Sequence, residues 1–356
     1  MCCGAGAYFV FVGGSLNEWS LPSRRRVIRL VAAASVLGLA GALGAVAGRH
    51  FDRTASLHQW QGTALGADAS LLVALPDAKR AERLLVRARA EIDRLERIFS
   101  LYHRDSALVR LNGEGQLANP PAELVALLER AQQWSRLTDG AFDVTVQPLW
   151  RLYRDHFSKM GADPAGPADA AVRVARALVD YQAIEVSAKR IAFARPGMAV
   201  TLNGIAQGEV TDRVADLLGA EGLEHALIDL GEFRALSTHP SGRPWKVGVK
   251  DPHEAGSLLS KVALSDRALA TSATTGTHFD PQGRHHHLFD PGAGRPNGGL
   301  VSASVVARRA RDADAFSTAL LASPQPLAPQ AVSHLGIEHV LTVSSEGRVG
   351  EWRIAT

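Results

Sequence analysis

Asp314 and Thr318 stand four residues apart in a stretch of helical periodicity, which puts a carboxylate and a hydroxyl on one helix face, about one turn apart. Two oxygen donors with no cysteine suit a hard cation such as Mg²⁺; a helix cap beside a surface hydroxyl gives the same pattern. Upstream, residues 201–212 read as a strand end (Val200, Thr201, Leu202), a tight turn holding Gly204 and Gly208, and a helix marked by Val210, Val214, Leu217 and Leu218. Such a turn aims free backbone N–H groups, and the positive end of a helix dipole, at whatever lies above the sheet, which favours a phosphate. A plain strand-to-helix connection has the same appearance. The triplet His285, His286 and His287 invites a zinc reading. Adjacent side chains point in different directions, so at most two could share a metal, and a loop imidazole bonded to a ligand or to backbone is the simpler reading.

The elements that must position these groups follow from periodicity. Residues 59–73 are strand-like, and Asp77 is placed to cap a long helix whose buried face is Ala81, Leu84, Leu85, Ala88, Ile92, Leu95, Ile98 and Phe99. That helix ends in a polar, aromatic loop, residues 100–106, where Tyr102 reads either as a half-buried plug or as a ring for ligand stacking. A second amphipathic helix spans 121–137 and closes on Asp139-Gly140. A helix at 170–178 and strands near Ile184 and Ile191 lead to the central turn; strands at 226–230, 245–249, near 262 and 269, and at 302–307 follow, then the helix 312–322 and strands at 337–343 and 348–354. Strands and helices do not alternate regularly, so the expected class is α+β: mixed or antiparallel sheets with packed helices in a single large domain over 55–354.

The chain has 356 residues, 46% hydrophobic and 21% charged, ordinary values for a globular protein. Residues 1–47 differ: a basic run at 23–29 precedes an apolar, Gly-bearing run at 30–47 that ends in Ala45-Val46-Ala47. This is the pattern of a twin-arginine export signal with a small-residue cleavage site, and it points to a periplasmic protein. The other reading is an uncleaved anchor, the one route by which the membrane would be involved. Without the leader, the 39 basic and 36 acidic residues become 35 and 35, because 1–47 holds four arginines and one glutamate. The neutral remainder has no electrostatic case for nucleic acid. Cys2 and Cys3 also lie in the leader, which removes disulfide and thiol chemistry from the rest.

Six stretches in order resemble the ApbE family, the FAD:protein FMN transferases. They are Ser100-Leu101-Tyr102 with Asp105-Ser106 and Leu111-Asn112; Thr138-Asp139-Gly140-Ala141-Phe142-Asp143 with Pro148-Leu149; Asn203-Gly204-Ile205-Ala206-Gln207-Gly208 with Asp212; Ala270-Thr271-Ser272; His287-Leu288-Phe289-Asp290-Pro291 with Gly294; and Ala313-Asp314-Ala315-Phe316-Ser317-Thr318. The resemblance covers about residues 57–345, and the leader and the Gln-Gly turn look most like the exported branch associated with nitrous oxide reductase maturation. It implies a Mg²⁺-dependent transfer of FMN from FAD to a Thr or Ser hydroxyl of an acceptor protein, with release of AMP. The acceptor would carry an FMN-binding domain, a membrane protein being one option. By the same resemblance Asp314 and Thr318 bind the metal with a main-chain carbonyl near Gly204 or Ala206. FAD is held by Ser100, Tyr102, Asn203, Gly204, Gly208, Asp212, Glu232, Thr271, Ser272 and His287, with His287 and Gln207 beside the phosphates. Asp290 is either a structural cap or an activator of the incoming hydroxyl. Three positions depart from the family pattern: Gln207 where a lysine is usual, Glu232 where an aspartate is usual, and Ala273 where a glycine is usual. The lost lysine keeps open a non-catalytic FAD-binding or delivery protein, and a site where water can compete with the hydroxyl keeps open an FAD pyrophosphatase.

Overall fold

The computed structural model describes residues 56–323 and 329–354; the leader read at 1–47 lies outside them. The first described elements are β1 (Ser56–Ala64) and β2 (Ala67–Leu75), paired antiparallel from Ser56–Leu75 to Ala64–Ala67. The stretch expected to be one strand is therefore a hairpin. Its turn is made by Leu65 and Gly66, both at positive φ, a conformation that the apolar Leu65 does not advertise in sequence. Helix α1 (Ala78–Phe99) follows, and Asp77 accepts from the N–H groups of Lys79 and Arg80 at 2.9 and 3.2 Å, the expected cap.

Next come α2 (Ala107–Glu114), β3 (Gln116–Ala118), α3 (Ala122–Leu137), α4 (Gln147–Phe157), α5 (Asp169–Arg176), β4 (Ile184–Val186) and β5 (Arg190–Phe193). Then α6 (Ala206–Ala220) leads to β6 (Ala226–Asp229), β7 (Phe233–Leu236), β8 (Trp245–Lys250), β9 (Leu258–Leu264) and β10 (Ala268–Ala273). The short pair β11 (Phe289–Asp290) and β12 (Arg295–Pro296) precedes β13 (Leu300–Ala307), α7 (Ala310–Ala322), β14 (Ile337–Ser344) and β15 (Val349–Arg353).

Eight strands form one sheet in the order β1-β2-β6-β7-β10-β13-β14-β15, antiparallel at every pairing. Alternation along each strand sorts the side chains into two cores. Leu71, Val73, Ile228, Ala270, Val305 and Val340 face α1, α3, α6 and α7, whereas Leu72, Leu227, Leu269, Val306 and Leu341 face the β8–β9 hairpin. The expected α+β class holds, and the sheet is wholly antiparallel.

Two local expectations fail. No strand forms at 200–202: the extended backbone there is clasped by Asn112, whose amide donates to the Val200 carbonyl at 2.8 Å and accepts from the Val200 N–H at 2.7 Å. A side-chain amide thus does the work of a neighbouring strand. Gly208 lies inside the first turn of α6, where a Cβ would sit 2.5 Å from the Ala310 carbonyl oxygen and the Arg311 backbone. Its missing side chain serves a helix contact between α6 and α7, not a tight turn.

Candidate active site

Helix α7 carries Asp314 and Thr318, and its neighbour α6 fixes its start. No side chain of α7 caps its own N-terminus; instead Asp212 of α6 accepts from the N–H groups of Ala310 and Arg311 at 3.0 and 3.1 Å, with Arg309 Nε 3.2 Å away. Two of the free donors at the helix end are satisfied across the interface. Burial pushes the Asp212 carboxyl up to about 6, against the pull of Arg309 and these N–H groups. Asp212 therefore faces α7 and not a ligand cavity, a correction to its reading as a cofactor contact.

One turn into α7, Asp314 accepts from the Gly208 N–H at 3.1 Å through Oδ2, and its carboxylate has no other hydrogen bond and no ion pair among the described residues. Thr318, one turn further on, is in contact with Gly204: a Cβ at Gly204 would stand 2.8 Å from the Thr318 hydroxyl oxygen and 2.9 Å from its methyl. The sequence spacing thus brings the carboxylate, the hydroxyl and the backbone of the central turn together. Ser272 on β10 joins them, its hydroxyl 3.1 Å from that of Thr318 and 2.8 Å from that of Ser317. Beside it, the Thr271 N–H donates to Glu232 Oε2 at 3.1 Å.

Glu232 sits in the turn between β6 and β7, after Gly231 at φ +97°. A side chain at Gly231 would collide with the Gln207 amide, so this glycine lets the start of α6 close onto the hairpin. Burial pushes the Glu232 carboxyl well up, with the Asp314 charge adding to the rise, and burial likewise pushes Asp314 up against the one Gly208 donor. Two carboxyls so placed do not both ionise without a compensating positive charge.

These groups line the floor of a cleft of about 550 Å³, within the usual range for a small-molecule site. Ser100, Tyr102, Asn203, Gly204, Ala206, Gln207, Glu232, Thr271, Ser272, His287, Asp314 and Thr318 all border it, while Gly208, Asp212 and Asp290 do not. Ser100 borders the cleft with its hydroxyl already engaged, accepting from the N–H groups of Tyr102 and His103 at 3.1 and 3.2 Å. Asp290 accepts from the N–H groups of Gly292 and Ala293 at 2.8 and 3.1 Å, so of its two readings the structure favours the cap.

The histidine triplet disperses. His285 packs on Tyr153 and Phe157, His286 Nε2 donates to the Asn297 carbonyl at 2.9 Å, and His287 Nδ1 donates to the Thr277 carbonyl at 3.2 Å. A carbonyl can only accept, so in neutral His287 the proton sits on Nδ1 and Nε2 is the free base. Burial pulls His287 down to about 4. Among the described residues no three His, Cys, Asp or Glu side chains converge on a metal position.

The cleft has further walls that the site residues read from sequence did not include. Phe142, Asp143 and Trp150 form one side, and the end of β8 at Lys250 with Asp251 and His253 after it forms another. Lys250 is the one lysine or arginine among the described residues bordering it. The acidic Asp-Pro pair directly after a hydrophobic strand was the available signal. Asp143 is pushed up to about 6 by burial and holds the chain by accepting from the Thr145 hydroxyl and N–H and the Tyr181 N–H.

An antiparallel sheet with helices on one face and a hairpin on the other, and a cleft bordered by oxygen donors, defines an α+β protein with a small-molecule site. The chain belongs to the ApbE family, whose family model matches residues 65–341. It is similar to the FAD:protein FMN transferase of Vibrio cholerae, with 31% identity over 242 residues, 65% of this chain and 72% of that protein. The Salmonella typhimurium FAD:protein FMN transferase is 28% identical over 300 residues, 81% of this chain and 84% of that one. Among solved structures, the ApbE protein of Thermotoga maritima superposes with a TM-score of 0.72 at 25% identity, covering 83% of this chain and 96% of that one. The flavinyl transferase ApbE of Pseudomonas stutzeri gives 0.69 at 26%, covering 84% and 94%. By these relationships the chain is a transferase.

Proposed function

We propose that this protein moves FMN from FAD to a Thr or Ser hydroxyl of an acceptor protein, with release of AMP, and that it does so with Mg²⁺ outside the cytoplasm. The observation that carries the reading is the buried pair Asp314 and Glu232 on the cleft floor, which has no lysine or arginine ion-pair partner among the described residues and stands beside Thr318, Ser272 and the Gly204 turn.

That donor set fits a hard cation. It is made of carboxylate, hydroxyl and main-chain oxygen, with no thiol and no converging imidazoles. Asp314 and Thr318 would hold the ion with a carbonyl near Gly204 or Ala206, and Glu232 would balance its charge. Bound there, Mg²⁺ supplies neutralisation of diphosphate charge.

The residues of the chain then position the reaction. Phosphoryl transfer depends on alignment and charge compensation more than on covalent help from the protein. The acceptor oxygen forms a bond to the FMN-side phosphorus; the bond from that phosphorus to the bridging oxygen breaks, AMP leaves with that oxygen, and the hydroxyl gives up its proton. Gln207 stands at the start of α6 against Gly231, where its amide can donate to a phosphate oxygen. Lys250 offers the cation that position 207 lacks. His287, neutral with Nε2 unprotonated, can accept a proton at the cleft wall. Tyr102 and Trp150 offer ring surface for a flavin.

The test is to incubate the protein with FAD, Mg²⁺ and an exported FMN-binding domain. The reading expects flavinylated acceptor and AMP in equal amounts. AMP with free FMN would make the protein a pyrophosphatase, and tight FAD binding with no AMP would make it a carrier.

A further inference from the structure

A second cavity, of about 430 Å³, adjoins the cleft and shares Leu101, Tyr102, Trp150 and Asn203 with it. Its wall includes Arg151 and Arg154, three apart on α4. Arg154 is bound to Asp155 at 2.6 Å and lies over the Trp150 ring at 5.3 Å. Arg151 is half-buried and makes no hydrogen bond or ion pair among the described residues. Burial, and then the neighbouring Arg154 charge, pull its pKa below the ordinary value against the weaker pull of the Asp155 carboxylate. A partly dehydrated guanidinium with no ion-pair partner of its own, beside a second guanidinium, makes a place where an anion is favoured.

The position of this cavity says which anion. Asn203 borders both cavities and is followed by Gly204, which rests on Thr318. A chain lying in the second cavity therefore lies next to the cleft that Asp314 and Thr318 border. We propose that this cavity docks the acceptor protein, and that Arg151 takes the carboxylate of an acidic residue flanking the acceptor hydroxyl. The inference rests on the transferase reading and adds the acceptor class to it: a short, extended, acidic segment. It also gives the protein a way to bring a protein hydroxyl, and not water, to the phosphorus, because docking is needed to complete the site.

The experiment measures binding, so it does not depend on turnover. The whole protein is loaded with FAD without added Mg²⁺ and titrated into a short fluorescein-labelled peptide carrying one Thr flanked by Asp, and into its counterpart with Asn for Asp. The Asp peptide is expected to bind about tenfold tighter. Arg151→Ala should abolish that preference and Arg151→Lys should restore part of it, while FAD affinity, read from flavin fluorescence, stays at the wild-type value. Equal binding of the two peptides to wild type would overturn the proposal. So would a loss of FAD affinity in Arg151→Ala, which would assign the anion to the nucleotide itself. If transfer assays fail but the peptide preference holds, the transferase reading falls and the acidic docking site stands.

Discussion

Gly208→Ala adds one methyl group at the point where α6 meets α7. That Cβ would lie 2.5 Å from three backbone atoms, the Ala310 oxygen and the Arg311 Cα and N. Ordinary contact needs about 3.4 Å or more, so the helices must separate by roughly 1 Å, and no side chain can swing away to relieve the clash. Overpacking of this kind costs about 1–3 kcal/mol, or about 2–10 °C in Tm for a domain of this size. The same shift lengthens the 3.1 Å bond from the Gly208 N–H to Asp314 and moves that carboxylate relative to the Gly204 turn. A displacement of about 1 Å in a reacting centre can cost on the order of 100-fold in rate.

Gly219→Ala is the control on the same helix. It also lies in α6, but nothing stands within 4 Å of its added Cβ, and it should stabilise by about 0.5–1 kcal/mol through backbone entropy. Thermal unfolding and FMN transfer would be measured for both variants. If Gly208→Ala is as stable and as active as Gly219→Ala, the account of α6 as the element that holds Asp314 in place is wrong.

Other consequences can be checked directly. Asp314→Asn should lower transfer by about 10³-fold, as loss of a charged ligand does, while Tm holds or rises because a buried carboxylate without a cation costs stability; an active variant would contradict the metal assignment. His286 is held neutral, its Nε2–H on Asn297 and its Nδ1 accepting from Leu288, and burial pulls it from 6.5 to about 4. The unfolded chain therefore takes up a proton below about pH 6.5 that the fold refuses until about pH 4, so stability falls as pH drops through that window, by up to about 2 kcal/mol from this one group between pH 7 and 5. Urea titrations should show a shallower fall in His286→Gln, and an unchanged slope would rule the group out.

The sequence carried the pieces whose geometry is local. Four-residue spacing was enough to place Asp314 and Thr318 on one face of α7, and Asp77 announced the start of α1. Groups that meet through tertiary contact were hidden. Asp212 reads as part of a binding motif, and only the α6–α7 crossing shows that its carboxylate caps the other helix. Gly208 reads as a turn residue because glycine signals both left-handed backbone and close approach, and pattern alone cannot separate them. Helix α4 was not expected: Pro148 stands near its start, a position proline tolerates, and Val144 and Val146 before it look strand-like. With α4 unseen, Arg151 and the second cavity could not be inferred. Strand β7 was missed because Gly231-Glu232 looked like the end of a strand and is the turn of a hairpin.

The most direct measurement is a crystal of the protein grown with FAD and Mn²⁺ in place of Mg²⁺, with anomalous scattering recorded at the manganese edge. The account predicts one strong peak between the Asp314 carboxylate and the Thr318 hydroxyl, touching the flavin diphosphate. A peak elsewhere in the cleft, or a diphosphate bound with no metal between it and α7, would contradict it.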